Sequence, residues 1–452
     1  MTEISTPNST SARRTRNVLS GSAALFAARV FGTVASLVSV GILTRTLGRE
    51  EFGLWSVIGA FVGFAGNFDF GLGQGLKNKL AALAAREKRD PALEGELFFS
   101  VLAFLAVIAI ISAVLVGGLS VLVPWAHVLG VQNPALEGPA HAAVIAVVVL
   151  LLLNLPLNLN LAGFLAYQEA AKRSLFDVLQ SVLLLVGVVL LAPVLSIAQF
   201  LTAYYVLFNV AALVALIVFI RQRAWTLPRL NRTRIWSTVK DLAASSVQFW
   251  LLGVAAIALF TTDPIIAARV TDLGTAGDFS IFQRLVVLLI GIHFTLLMPL
   301  WSAYTHAAEN RDWDWIRRSL ERSVGITILL FGVGGILAVL LHGNVLHIWT
   351  GREFQNTPLM IVLAVWTLQY AWTNCFSVLL NSLNLIRTQV LVILVCALIH
   401  IPLSISLGNT FGIEGVVWGS IISLLPLTFS NTYQVILLLR KSSYLTRKEW
   451  KI

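Results

Sequence analysis

The sequence predicts an all-α, polytopic integral membrane protein, with about twelve transmembrane helices in two six-helix lobes around a central cavity. Composition is the first observation: hydrophobic residues are 57% of the 452 and charged residues 12%, with a mean hydropathy of +0.84. A bilayer-crossing helix needs about 20 apolar residues, and a water-soluble domain could not solvate so much apolar surface. The second is segmentation into apolar runs at 18–43, 52–76, 97–123, 141–165, 174–196, 199–220, 241–268, 277–304, 322–342, 358–383, 388–408 and 412–438. The third is that Lys and Arg gather on alternate loops.

Positive charge fixes orientation in a membrane. The N-terminal tail carries Arg13, Arg14 and Arg16, and the second loop Lys77, Lys79, Arg86, Lys88 and Arg89. The fourth carries Lys172 and Arg173, and the long sixth loop six more between Arg221 and Lys240. With the eighth and tenth loops and the C-terminal tail, twenty-six basic residues fall on one side and four on the other, namely Arg45, Arg49, Arg269 and Arg352. That asymmetry places both termini in the cytoplasm of a bacterial inner-membrane protein. It also accounts for the net charge of +10 through anionic lipid headgroups, without nucleic acid as a partner.

Residues 1–17 are polar and Ser/Thr-rich and read as a disordered tail. The apolar run after them is too long for a cleaved signal and reads as a signal anchor. Lobes are expected at 18–220 and 241–438, with a cytoplasmic loop at 221–240 and a basic tail at 439–452. Cys375 and Cys396 both fall in predicted spans and read as small buried hydrophobes. The seven histidines show no metal-ligand spacing, and no phosphate-binding glycine loop followed by Lys and Ser/Thr is present. No cofactor is expected. Inter-span loops are too short to hold a soluble catalytic domain, so the chain does not read as an enzyme.

A weak echo relates the halves. Thr44-Arg45-Thr46-Leu47-Gly48 precedes Phe52-Gly53-Leu54-Trp55, and Arg269-Val270-Thr271-Asp272-Leu273-Gly274 precedes Phe279-Ser280-Ile281-Phe282. Each half begins on the cytoplasmic side, so a repeat would be parallel, as in several transporters.

Ionisable residues inside spans cost at least about 2.5–3.5 kcal/mol unless they face a polar cavity or a partner. Arg29 lies deep in span 1 and Arg284 a couple of turns into span 8. Guanidinium suits bidentate phosphate binding, so one reading is a cationic cavity. The other is structural pairing, Arg29 with Asp69 and Arg284 with Asp263. Asp69 and Asp263 fit either an ion-coupling role or helix packing. Asn154, Asn158 and Asn160 around Pro156, and Gln369, Asn374, Asn381 and Asn384 around span 10, read mainly as interhelical hydrogen-bonding groups. Gly53, Gly59, Gly63 and Gly66 are spaced for close helix approach, while Gly71, Gly73 and Gly75 read as a flexible or broken helix end.

Ala28-Arg29-Val30-Phe31-Gly32, the stretch from Thr44 to Trp55, and Asp69-Phe70-Gly71-Leu72 resemble the opening of the O-antigen (Wzx-type) polysaccharide flippases. These belong to the multidrug/oligosaccharidyl-lipid/polysaccharide exporter superfamily. In the second half, Asp278 to Leu285 and Leu300-Trp301-Ser302-Ala303-Tyr304 resemble that family's pattern too. The resemblance implies a V-shaped pair of six-helix lobes and a cargo of undecaprenyl-diphosphate-linked oligosaccharide. Membrane lipids are implied partners, together with a polysaccharide polymerase and a chain-length regulator. It also implies that Arg29 and Arg284 line the cavity and meet the diphosphate. The related lipid II flippases have fourteen spans and further cavity arginines; twelve spans and Ala35 here depart from that pattern. A drug/cation antiporter would need an acidic cavity, and a membrane-embedded polymerase would need a catalytic group near a long outer loop. Both fit this sequence less well.

Overall fold

The computed structural model describes residues 7–65, 69–84, 86, 89–223, 225, 227–229 and 231–444. Every regular element among them is helical. The order is α1 (Pro7–Thr46), α2 (Arg49–Ala65), α3 (Leu72–Ala84), α4 (Pro91–Leu119), α5 (Trp125–Val128), α6 (Pro134–Leu157), α7 (Leu159–Ala166) and α8 (Ala170–Leu191). There follow α9 (Ile197–Arg221), α10 (Arg232–Phe260), α11 (Asp263–Val270), α12 (Leu273–Glu309), α13 (Trp313–Thr350), α14 (Thr357–Ser382) and α15 (Arg387–Tyr444).

Helix ends follow local chemistry. Asp90 accepts from the Ala92 and Leu93 amides to start α4, which has Pro91 in its first turn. Asn133, Asp272, Asp312 and Asn356 cap α6, α12, α13 and α14 in the same way. The Gly351 residue that ends α13 sits at φ +73°, where a Cβ would be strained.

Ten of the segments among the described residues are long and apolar enough to span a bilayer. The last of these, Arg387–Arg440, is two limbs joined at Gly412, whose φ of +67° and ψ of −145° are not helical. The second expected span is not among the ten; along it the described residues form α2 and, after a turn at Asp69–Gly71, α3. Counting the bent helix twice and the broken span once recovers the twelve that hydropathy predicts.

Two compact units result. The first comprises Met1–Gly48, Phe61–Ala126 and Asn133–Trp250, and the second Arg49–Ala60, His127–Gln132 and Leu251–Ile452. In the first, α1 packs on α8, α6 on α4 and α9, and α3 on α4 and α7. Phe98, Phe164 and Phe219, none with any exposure, fill its core with Leu76 and Leu80. In the second, α14 is packed among α12, α13 and α15, and α11 lies between α12 and α15.

These boundaries differ from those expected. Residues 7–17 form the first turns of α1, because Pro7 opens the helix and no breaker follows before Gly21. Residues 232–240 of the expected loop are the start of α10, and 439–444 of the expected tail end α15; residues 1–6 and 445–452 lie outside those described. Arg49–Ala60 joins the second unit for a packing reason. A Cβ at Gly53 would lie 1.8 Å from the Leu273 carbonyl oxygen, and one at Gly277 would lie 2.9 Å from the Gly53 Cα. Only two hydrogen side chains allow α2 and α12 to cross so closely, and the Arg49–Asp278 ion pair at 2.7 Å fastens the crossing. Gly59, by contrast, has no atom within 4 Å of a built Cβ, and Gly66 lies outside the described residues.

Some of the basic residues counted on the loops also tie the first unit together. Glu94 is fully buried, 2.7 Å from Arg89 and 2.6 Å from the Tyr167 hydroxyl, which donates to it. The Arg223 guanidinium lies 3.9 Å from the centre of the Tyr167 ring and pairs with Glu169. Burial, reinforced by the Glu94 carboxylate, raises the Tyr167 pKa well above the ordinary phenol range, so its proton stays in that hydrogen bond.

Gly53→Ala is expected to destabilise the purified protein by about 1–3 kcal/mol, the usual cost of overpacking. Gly59→Ala in the same helix should be neutral or stabilising by roughly 0.5–1 kcal/mol. Thermal unfolding of both in one detergent checks the contrast.

Candidate functional site

The turn that starts α3 is built on five consecutive residues, Asp69 to Gly73. Phe70 and Gly71 both take positive φ, +53° and +75°. The turn frees backbone donors that hydrocarbon cannot satisfy. Asp69 satisfies two of them: Oδ1 accepts from the Gly71 amide at 2.8 Å and Oδ2 from the Gly73 amide at 3.0 Å. Gly73 must be glycine here, since a Cβ would sit 2.8 Å from Asp69 Oδ2. The Asp-Phe-Gly-Leu-Gly run is therefore a side-chain-capped helix restart inside the first unit.

A cavity of about 460 Å³ opens beside this restart, wholly within the first unit. Asp69, Gln74, Lys77, Asn158 and Trp250 line it, with leucines of α6 and α7 completing the wall. Of the four charged residues singled out from the sequence, Asp69 alone lines this cavity.

Arg29 lies in the candidate span Ala24–Thr46 of the first unit, with an exposed side chain. Among the described residues no ion-pair or hydrogen-bond partner meets its guanidinium, so the expected alternative of an Arg29–Asp69 pair is not what forms. Asp69 uses its oxygens on backbone instead. Arg284 belongs to the second unit, where its guanidinium lies 5.1 Å from the centre of the Trp55 ring. Such a cation–π contact steadies the charge without neutralising it.

Asp263 is 2% exposed and pairs with a histidine rather than with Arg284. His400, with no exposure, places Nε2 3.1 Å from Asp263 Oδ1 and 3.2 Å from Thr262 Oγ1. The approach to Oδ1 is an ion-pair distance without hydrogen-bond alignment. Ser420 donates to Asp263 Oδ2 at 2.9 Å, and Ser423 and Ser404 lie 3.2 and 3.4 Å from His400 Nδ1. Close approach of the two limbs of α15 makes this possible. A Cβ at Gly415 would lie 2.1 Å from the Leu407 oxygen, and one at Gly419 2.3 Å from Ser404 Oγ. Sequence reasoning did not find His400. The signal was available in Gly415-Val416-Val417-Trp418-Gly419, a small-residue spacing for helix contact, but not which residues it would bring together.

The amides act as interhelical hydrogen-bonding groups. Asn158 Nδ2 donates to Asn154 Oδ1 at 2.5 Å, and Asn154 donates to Asn209 of α9 at 3.1 Å. Gln369 donates to the Ile421 carbonyl at 3.0 Å. Asn209 is the member of the first group that the sequence did not single out.

Known proteins resemble this chain along nearly its whole length. It is 21% identical over 392 residues to a putative O-antigen transporter of Salmonella typhi, covering 86% of this chain and 88% of that one. The putative O-antigen transporter of Salmonella typhimurium is 21% identical over 420 residues, covering 87% and 92%. Among solved structures, the lipid II flippase MurJ in an inward closed conformation superposes with a TM-score of 0.72 at 14% identity, over 94% of this chain and 90% of that one. An inward-facing MATE-family multidrug transporter of the MOP superfamily gives 0.70 at 15%, over 92% and 96%. The shared fold is that of MOP-superfamily transporters. A sequence family described as polysaccharide biosynthesis protein matches residues 18–304, more than half of the chain, and the protein is a multi-pass membrane member of that family.

Proposed function

We propose that this protein is a flippase. It carries an undecaprenyl-diphosphate-linked oligosaccharide repeat unit from the cytoplasmic to the periplasmic leaflet by alternating access, for O-antigen, capsule or exopolysaccharide assembly. The observation that carries this reading is Arg29, an exposed guanidinium inside an apolar span with no partner among the described residues. A membrane helix retains such a group at a cost of a few kcal/mol, and a passing diphosphate offers the bidentate oxygens that guanidinium geometry matches. In the second unit, Arg284 over Trp55 is the corresponding proposed anion contact. The relatives' O-antigen transporter names agree with this cargo. A polysaccharide polymerase and a chain-length regulator are the proposed downstream partners, and the charge asymmetry of the loops supports both termini in the cytoplasm.

Asp263 and His400 are the proposed proton-carrying pair that couples transport to a gradient. Among the described residues no other charged side chain is within ion-pair distance of either. Both side chains are buried, so proton exchange with either side requires water to reach them during the transport cycle. Asp69, whose oxygens cap the start of α3, is not part of this proposed pair.

Deletion of the gene should trap the lipid-linked glycan on the cytoplasmic face, read with a glycan-specific lectin on right-side-out and inverted vesicles. Equal labelling of the outer face with and without the gene would sink the flippase reading. Restoration with Arg29→Ala should fail at normal membrane abundance, with Arg29→Lys recovering only part of the transport. Full export by Arg29→Ala would remove the diphosphate contact.

In proteoliposomes, His400→Gln should lose transport driven by an imposed pH difference. It should keep exchange of labelled for unlabelled cargo, which moves no net proton. If the two fall together in a folded protein, the pair is structural.

A further inference from the structure

The cavity beside the α3 restart has a composition that the diphosphate contacts do not use. Its polar side chains hold spare hydrogen-bonding capacity. Asp69 spends one lone pair of each oxygen on the Gly71 and Gly73 amides and keeps the others. Asn158 donates to Asn154, and its own carbonyl oxygen meets no donor among the described residues. Gln74 and Lys77, both half-buried, meet no side-chain partner among them either. Trp250, held by the Phe70 ring at a centroid distance of 5.6 Å, adds an aromatic wall.

Charge selects the ligand class. One lysine and one aspartate leave the lining formally neutral, so neither a phosphate group nor a cation is favoured. A lipid tail would leave several polar side chains against hydrocarbon, which costs free energy for each. A neutral polyhydroxylated ring satisfies all of them: hydroxyls donate to Asp69 and Asn158 and accept from Lys77 and Gln74, while the C–H face lies on an indole. The volume, about 460 Å³, falls in the range of sites for small organic ligands, about 300–1,000 Å³.

Resting on the flippase reading, we infer that this cavity is a sugar subsite, which takes a neutral pyranose of the cargo's glycan separately from its diphosphate. By the charge asymmetry it lies toward the cytoplasmic end of the first unit, where the α3–α4 connection carries the second basic loop. Glycan binding there precedes transfer, so the site sets which glycan is loaded.

The test uses the full chain in lipid nanodiscs, titrated with three probes. These are the glycan freed by mild acid from the lipid fraction that accumulates on gene deletion, inorganic pyrophosphate, and undecaprenyl phosphate. Gln74→Ala and Trp250→Leu should each weaken binding of the freed glycan at least tenfold, with undecaprenyl phosphate affinity unchanged. Asp69→Asn should also weaken the glycan at least tenfold while retaining one capping acceptor, which separates ligand loss from unfolding. Unchanged glycan affinity in all three variants overturns the subsite, as does tighter retention of undecaprenyl phosphate than of glycan in the wild type with the variants altering only the former. If the deletion strain accumulates no trapped lipid-linked glycan, the flippase reading itself falls. If glycan is trapped but the freed glycan does not bind, the subsite falls and the flippase stands.

Discussion

A helix can restart after a turn only if its freed amides find acceptors, and here Asp69 provides them. The first amides of a helix have no intrahelical partner, so a carboxylate that accepts from Gly71 and Gly73 is what lets α3 begin where it does. The break redirects the chain, seats α3 on α4 and α7, and leaves room for the adjoining cavity. An aspartate that sequence reasoning treated as a possible ion carrier is thus first a helix cap. The same carboxylate, half spent on backbone, is what gives the cavity its acceptor.

Close approach of backbone is the second constraint, and glycine supplies it twice within the second unit. At Gly53 and Gly277 it brings α2 against α12, and the Arg49–Asp278 pair closes over the crossing. At Gly415 and Gly419 it folds one limb of α15 onto the other, so that Ser420 and Ser423 reach the Asp263–His400 pair. A membrane interior provides little hydrophobic drive between helices, and tight packing with interhelical hydrogen bonds does the work instead. The Asn154–Asn158–Asn209 set serves the same end in the first unit.

The candidate site was legible in part, and the pattern of success has a physical basis. Membrane cost singles out any charged residue within an apolar run, so Arg29, Arg284, Asp69 and Asp263 stood out from sequence alone. Cost does not name a partner. Asp263 meets His400, 137 positions along the chain, rather than Arg284, and the Arg284 guanidinium lies over the Trp55 ring. Histidine escaped notice because it was not counted among the charged residues that membrane cost singles out. Trp250, Gln74 and Lys77 escaped because aromatic and polar residues near span ends are ordinary until a cavity gathers them.

The sequence by itself determined that the chain is helical and membrane-embedded, with about twelve crossings. Those conclusions rest on hydrocarbon thickness and composition, which act on each segment independently of its neighbours. It also marked Gly71, Gly73 and Gly75 as a flexible or broken helix end, since glycine is a local signal for such a break, but not the Asp69 cap or the positive φ of Phe70. Only the tertiary structure decided which unit each segment joins, moving Arg49–Ala60 from the expected first lobe into the second unit. It alone decided the partners of the buried charges and the members of the cavity. Hydropathy reports how a residue meets lipid; who meets whom across helices depends on crossing points set by single glycines, and one methyl group at any of them would change the answer.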